Sequence, residues 1–269
     1  MADPGIALQL GPLTIRWYGV VISSAMLLCI LLASREVKRQ YLDVDDLYTL
    51  ALVVIPCAVL GARLYHVFFS WDFYSRYPQY ILAIWRGGLA WHGGLIGGIS
   101  AAALCCYFNK MRFFQWADIV VPFLALGQSI GRWGNYFNRE AYGPVIEPGS
   151  FWSWVPFQVY AEGAFHHPTF LYEALWNICV FTILMRMLHR PHHLGEVFGS
   201  YFVLYSSVRF FLELLRNDSL MIGPFRSAML ISIVSICFGL YMRKLSQKRP
   251  VVDFDSPDML HHKKRRIKG

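Results

Sequence analysis

Long apolar runs separated by short polar stretches dominate the pattern of the chain. Residues 17–34 contain no charged side chain, and a helix needs about 20 mostly apolar residues to cross a hydrocarbon core of about 30 Å. Further apolar runs lie at about 47–69, 91–108, 114–131, 169–188, 196–215 and 226–243. The pattern predicts an all-α polytopic membrane protein with seven transmembrane helices.

The composition agrees with a membrane protein. Of the 269 residues, 56% are hydrophobic and 16% are charged, with a mean hydropathy of +0.39, whereas soluble domains carry about 25% charged residues. The six cysteines lie in apolar runs without CxxC spacing, which favours packing over disulfide or metal roles. The start of the chain lacks the pattern of a removable signal peptide.

Basic residues predict the orientation. With the N-terminus outside, the inside segments would carry 16 Lys and Arg and the outside segments seven, and nine of the 16 lie at or beyond Arg243. The positive-inside rule therefore favours an external N-terminus and a cytoplasmic C-terminus. We expect the basic tail, residues 244–269, to be disordered and to lie beside anionic lipids rather than to bind nucleic acid.

Two other stretches are not predicted to span the membrane. Residues 71–90 mix aromatic and charged side chains, as a segment lying in the membrane interface does. Residues 132–168 form the longest predicted loop, which we expect to be a small extracytoplasmic cap, the head loop.

Charged side chains inside apolar spans are energetically expensive, and each is therefore a candidate functional residue. The alternative for each is a structural salt bridge or hydrogen bond between helices. The candidates are Arg63, His92, Asp118, Glu173, Arg209 and Glu213, with Arg132 at a predicted helix end.

The sixth predicted helix gathers such residues on one face. Tyr205, Arg209, Glu213 and Arg216 follow helical spacing, so their side chains share a stripe that cannot face lipid tails. Arg209 and Glu213 can pair with each other, and that pairing is the structural alternative. The stripe is also suited to holding an anionic headgroup.

The segment GRWGNYFNREAYG, residues 131–143, places strong polarity directly after an apolar run. The guanidinium of Arg132 can clamp a phosphate through two parallel hydrogen bonds. Glu140 can orient Arg132 or bind hydroxyls, while Gly134 and Gly143 allow turns and Asn135 and Asn138 satisfy exposed backbone groups. The alternative is a polar turn that ends a helix.

A glycine-rich helix start, GGLAWHGGLIGG, surrounds His92 with six glycines. Glycine lets helices approach closely and lets backbone approach a ligand. His92 can accept a proton near neutral pH, or merely bond a neighbouring carbonyl.

These clusters together resemble the bacterial prolipoprotein diacylglyceryl transferase family. Residues 131–143 match its signature, which looks like G-R-x-G-N-F-x-N-x-E-x-x-G, except that Tyr136 replaces Phe. Further similar stretches follow in the family's order: GPLTIRWYG, GARLYHVFF, WHGGLIGG, HPTFLYE and LYSSVRFFLELLR. The resemblance covers nearly all of the chain before the tail.

The resemblance implies a multi-pass enzyme of the bacterial cytoplasmic (inner) membrane, with residues 1–243 as its catalytic domain. It would transfer diacylglyceryl from phosphatidylglycerol to the lipobox cysteine in the signal peptide of a prolipoprotein, releasing glycerol phosphate, as the first step of lipoprotein maturation. The resemblance implies that His92, Arg132 and Arg209 are essential and that Tyr18, Asn135, Glu140, Gly143, Tyr205 and Glu213 support them. Together with the buried charges described above, this predicts His92, Arg132, Arg209 and Tyr205 as catalytic residues. The predicted substrate-binding residues are Tyr18, Arg63, Asn135, Glu140, Gly143, Glu213 and Arg216.

The implied chemistry is alkyl transfer to sulfur with a phosphate leaving group, so we expect no metal and no cofactor. Two arginines would stabilise the charge on the departing phosphate. The attacking species is the thiolate, so a base would help; His92 is the first candidate, and Tyr205 and Glu213 are alternatives. A membrane transporter or lipid-binding protein would use the same buried charges, and an intramembrane zinc protease is disfavoured because the sequence contains no HExxH.

Overall fold

The computed structural model describes residues 5–10, 13–215, 221–222 and 225–253, and it is mostly helical. Arg216 and the last part of the basic tail lie outside the described residues. The helices are α1 (Trp17–Arg39), α2 (Val44–Phe69), α3 (Trp71–Tyr74), α4 (Trp91–Phe108), α5 (Phe113–Asn138), α6 (Thr169–Leu188), α7 (Glu196–Leu214) and α8 (Ser227–Ser246).

Short strands and turns connect these helices. Each strand pair is antiparallel: β1 (Ile6–Leu10) with β2 (Leu13–Arg16), β3 (Val159–Ala161) with β4 (Ala164–His166), β5 (His192–His193) with β8 (Val251–Val252), and β6 (Met221–Ile222) with β7 (Phe225–Arg226). Short 3-10 helices lie at Pro78–Tyr80, Ile84–Arg86 and Phe151–Trp154.

The apolar pattern located the long helices correctly, with one instructive error. Six described helices, α1, α2, α5, α6, α7 and α8, are long and apolar enough to cross a membrane, while the apolar helix α4 is shorter. The predicted end of α5 at residue 131 is wrong, because the helix continues to Asn138. The first eight of the thirteen residues of the 131–143 segment are therefore helical, and the loop that follows starts at residue 139.

The chain divides into two compact units, residues 34–116 and the remainder. In the first, α2 and α4 pack through glycines. A Cβ on Gly97 would lie 2.6 Å from the Cys57 carbonyl oxygen and 3.2 Å from Gly61 Cα. Such backbone contact replaces the hydrophobic driving force that helices lack inside a bilayer.

The same unit is held together by a buried arginine. Arg63 is only 3% exposed, and its guanidinium donates to four backbone carbonyls, those of Tyr80, Ile81, Gly87 and Gly88, at 2.5 to 3.0 Å. These bonds fix the aromatic 71–90 segment against α2.

In the second unit, α7 and α8 also pack closely against each other at glycines. A Cβ on Gly239 would lie 2.6 Å from the Gly199 carbonyl oxygen. The start of α7 is capped from another helix: the buried carboxylate of Asp118 in α5 accepts from the backbone N–H of Gly195 at 2.6 Å and of Phe198 at 2.7 Å. Asp118 thus satisfies helix-terminal donors that would otherwise be unpaired.

Adjacent glycines of α4 offer a test of the close packing. We expect Gly97→Ala to destabilise the protein by about 1–3 kcal/mol, because the methyl group would meet α2 backbone that cannot move aside. Gly98→Ala is the matched control, since its Cβ would make only ordinary contacts at 3.5 and 3.8 Å. Thermal unfolding in detergent measures both, and equal melting temperatures would contradict the packing.

Candidate functional site

In the second unit, arginines from two helices contact one carboxylate on a third helix. Glu173, in the second turn of α6, lies 2.5 Å from Arg132 Nη2 of α5 through Oε1 and 3.3 Å from Arg209 Nη1 of α7 through Oε2. The two arginines are 77 positions apart in sequence. They nevertheless contact the same carboxylate.

The cluster continues along α7. The second terminal nitrogen of Arg209, Nη2, lies 3.1 Å from Oε2 of Glu213, four residues later. The carbonyl of Glu213 accepts a hydrogen bond from Arg226, at the start of α8. Arg132, Glu173, Arg209 and Glu213 therefore form one row of alternating charge with a formal net charge of zero.

The acidic side chains of this row are more deeply buried than the basic ones. The side chains of Glu173 and Glu213 are 6% and 3% exposed, while those of Arg132 and Arg209 are 20% and 18% exposed. The acids therefore form the floor of the row and the guanidinium groups its accessible side. Each guanidinium has five N–H donors, so its carboxylate partners leave donors for a further anion.

Two tyrosines complete the surroundings of Arg132. Tyr205 and Tyr18 both lie within electrostatic reach of its guanidinium. The Tyr205 ring stacks on Tyr201 with centroids 5.7 Å apart. Gly134 is not a turn residue as predicted: it lies within α5, and a Cβ there would come 2.5 Å from the ring of Tyr18.

The rest of the 131–143 segment lies in the last turns of α5 and in the loop that follows it. Asn135 follows Arg132 by three residues on α5. Glu140 is exposed, and its Oε1 accepts from Asn138 at 3.2 Å; the carboxylate that contacts Arg132 is that of Glu173. The ring of Tyr136 packs 5.3 Å from Phe170, so an aromatic ring suffices at this position.

Gly143 joins the loop to the start of α6. Its N–H donates to the carbonyl of His167 at 2.9 Å, and a Cβ would crowd His167 and Thr169 at 3.0 Å. The His167 ring bonds to the Tyr172 hydroxyl at 2.9 Å. Burial lowers the pKa of His167, which favours its neutral form.

His92 belongs to the other unit, in the first turn of α4, where its ring lies 5.9 Å from that of Tyr65. The donors of Arg63 in that unit are engaged by four carbonyls, as described above, which gives it a supporting role in the fold. No group of three or more potential metal-ligating side chains occurs among the described residues.

Comparison with known proteins identifies the family of the chain. A sequence model described as prolipoprotein diacylglyceryl transferase matches residues 5–244. The chain belongs to this family. A relative named phosphatidylglycerol–prolipoprotein diacylglyceryl transferase, from Thermosynechococcus vestitus, is 41% identical over 95% of this chain and 98% of its own length. Relatives with the same name from Symbiobacterium thermophilum and Bacillus mycoides are each 43% identical, over 94% and 90% of this chain and 96% and 93% of their own lengths.

The resemblance inferred from residues 131–143 is thereby confirmed at the level of the family. Sequence reasoning missed Glu173 as a site residue, although it noted the residue as a charge within a span. The signal was its place in the family-like stretch HPTFLYE, residues 167–173. Its partners lie on two other helices, so sequence spacing alone did not reveal the pairing.

Neutralising the shared carboxylate tests its importance in this transferase family member. We expect Glu173→Gln to destabilise the protein by roughly 3 kcal/mol, because removing one partner of a buried ion pair leaves two arginines poorly compensated. Glu162→Gln, at an exposed loop carboxylate that accepts from Tyr142, is the control. A thermal unfolding comparison in which the two variants behave alike would argue against the shared pairing.

Arg63 allows a second test, which separates a structural role from a catalytic one. We expect Arg63→Lys to lower the melting temperature by several degrees, because lysine cannot reproduce the fork that reaches four carbonyls. Arg76→Lys, at an exposed position of the 71–90 segment, should leave it unchanged. An Arg63→Lys variant of wild-type stability but without activity would instead place Arg63 in the reaction.

Proposed function

We propose that the chain transfers the diacylglyceryl group of phosphatidylglycerol to the lipobox cysteine of prolipoproteins, forming a thioether and releasing glycerol phosphate. Membership of the family and the names of the relatives support this activity. The structural observation that carries it is the convergence of Arg132 and Arg209 on one carboxylate. Two guanidinium groups that close on one anion are well placed to close on a phosphodiester.

The reaction breaks a carbon–oxygen bond and forms a carbon–sulfur bond. The substrate thiolate attacks the glycerol carbon that carries the phosphate, and the bonding electrons leave with the phosphate oxygen as glycerol phosphate. Negative charge therefore moves from sulfur to the leaving oxygen. Arg132 and Arg209 would hold the phosphodiester in place and stabilise the charge that develops on it.

The buried acids would preorganise these cations. Glu173 contacts both guanidinium groups, and Glu213 contacts one of them, which restricts their rotation before the lipid arrives. Donors fixed in advance avoid reorganisation at the moment of reaction. Glu173 and Glu213 are thus positioning residues in this scheme.

His92 is our proposed base for the substrate thiol, with Tyr205 and Glu213 as alternatives. The carboxylate of Glu213 already pairs with Arg209, whose Nη2 lies 3.1 Å from its Oε2. Tyr205 lies within electrostatic reach of Arg132, beside the proposed phosphate position. Tyr18, Asn135, Glu140, Gly143, Arg63 and Arg216 are proposed to line or support the substrate site.

The proposed topology keeps seven spans, with α4 as the shortest, the N-terminus outside and the C-terminus in the cytoplasm. The cytoplasmic membrane of a bacterium is the proposed location. Residues 1–243 would be the catalytic membrane domain, 71–90 its interfacial segment, 139–168 its head loop and 244–269 its tail. Phosphatidylglycerol and prolipoprotein signal peptides are the proposed partners.

A reconstituted assay with purified protein, phosphatidylglycerol and a lipobox peptide tests the activity. We expect Arg132→Ala and Arg209→Ala each to reduce thioether formation at least about 10²-fold, the effect of losing one charge-stabilising donor. Peptide mass measures the product.

The control is Arg186→Ala, an exposed arginine near the far end of α6, which should retain activity. Full activity in either Arg132→Ala or Arg209→Ala would remove the phosphate clamp. Movement of lipid with unchanged peptide mass would favour the alternative, a transporter or lipid-binding protein.

A further inference from the structure

A polar cavity lies in the same unit as the cluster of Arg132 and Arg209, where α7 begins and α8 ends. It has a volume of about 500 Å³ and is lined by His193, Glu196, Leu240, Arg243, Lys244 and Gln247. Glu196 and Arg209 lie on one helix, 13 residues apart, and a rise of 1.5 Å per residue separates them by roughly 20 Å. The cavity is therefore distinct from the arginine cluster.

The lining combines cationic and apolar groups on one face of α8. Leu240, Arg243, Lys244 and Gln247 follow helical spacing and so share a stripe. The apolar member, Leu240, is 52% exposed, one turn before the charged pair, and Tyr241 beside it is 60% exposed. A ligand here would meet cations and an amide at one end and an apolar helix surface at the other.

The acidic residue of the cavity pairs only weakly with the cations of the lining, so these cations can bind a ligand. Glu196 is the acidic residue of the lining, and its Oε1 lies 3.9 Å from Arg243 Nη2, with the two side chains 27% and 45% exposed. Its other oxygen accepts from the backbone of His193 at 3.2 Å. Exposed ion pairs of this kind contribute little, so a stronger anion can displace Glu196 from Arg243.

We propose that this cavity binds the phosphate of an anionic phospholipid, with the acyl chains lying along α8. Basic pockets between membrane helices recognise such headgroups, and the amphipathic stripe matches a lipid better than a free anion. This site goes beyond the transferase activity and would bind lipid from the leaflet opposite the reaction.

The experiment uses the full-length protein in neutral detergent, with dioleoyl phosphatidic acid as the probe and native mass spectrometry and thermal stability as readouts. We expect phosphatidic acid to bind and to raise the melting temperature, and Arg243→Gln/Lys244→Gln to weaken binding about tenfold. Arg186→Gln/Arg190→Gln removes the same charge from the nearby end of α6 and should bind as the wild type does.

Further measurements distinguish lipid binding in this cavity from binding at Arg132 and Arg209 and from binding of a free anion. Arg132→Ala/Arg209→Ala should retain phosphatidic acid binding, and phosphatidylcholine should bind weakly. Inorganic phosphate that stabilises as strongly as the lipid would overturn the proposal in favour of a free-anion site. Undiminished binding by Arg243→Gln/Lys244→Gln, or by Lys244→Gln alone if the double variant does not fold, would also overturn it.

Discussion

The candidate site depends on one buried carboxylate that must be neutralised within a membrane protein. An ionised group is costly to bury unless it is paired, and Glu173 is 5% exposed. Its partners come from α5 and α7, so the requirement for charge compensation fixes three helices relative to one another. The same requirement brings Arg132 and Arg209 together at one carboxylate.

Two buried acids of the same unit illustrate how partners decide a role. Asp118 accepts two backbone N–H groups at the start of α7 and so completes a helix end. Glu173 faces two arginine side chains instead. Both are single carboxylates in apolar helices, and both were equal candidates by sequence. Backbone partners tie Asp118 to the end of one helix, whereas Glu173 pairs with two cationic side chains from two other helices.

Several predicted site residues make contacts other than those that their spacing in the sequence suggested. The donors of Arg63 reach four carbonyls of the 77–88 region, so this buried cation organises a loop. Gly134 was read as a turn residue, yet its missing side chain admits the ring of Tyr18 against α5. Glu140 was the nearest acid to Arg132 in sequence, but α5 continues to Asn138 and leaves Glu140 exposed beyond it. Local spacing cannot distinguish these cases, because each depends on what a neighbouring helix presents.

The sequence by itself determined the long helices, the family and the types of residue at the site. Apolar runs of membrane-spanning length have few alternatives in a bilayer. The segment 131–143 matches seven of the eight fixed positions of the family signature, with Tyr136 at the eighth, which is specific enough to indicate the family. Helical spacing predicted the pairing of Arg209 with Glu213, but tertiary structure alone decided which charges of different helices meet. Arg132, Glu173 and Arg209 lie on three helices, and only their packing brings them within 2.5 to 3.3 Å. Charge pairing between helices is a property of relative position, which no periodicity along one helix encodes.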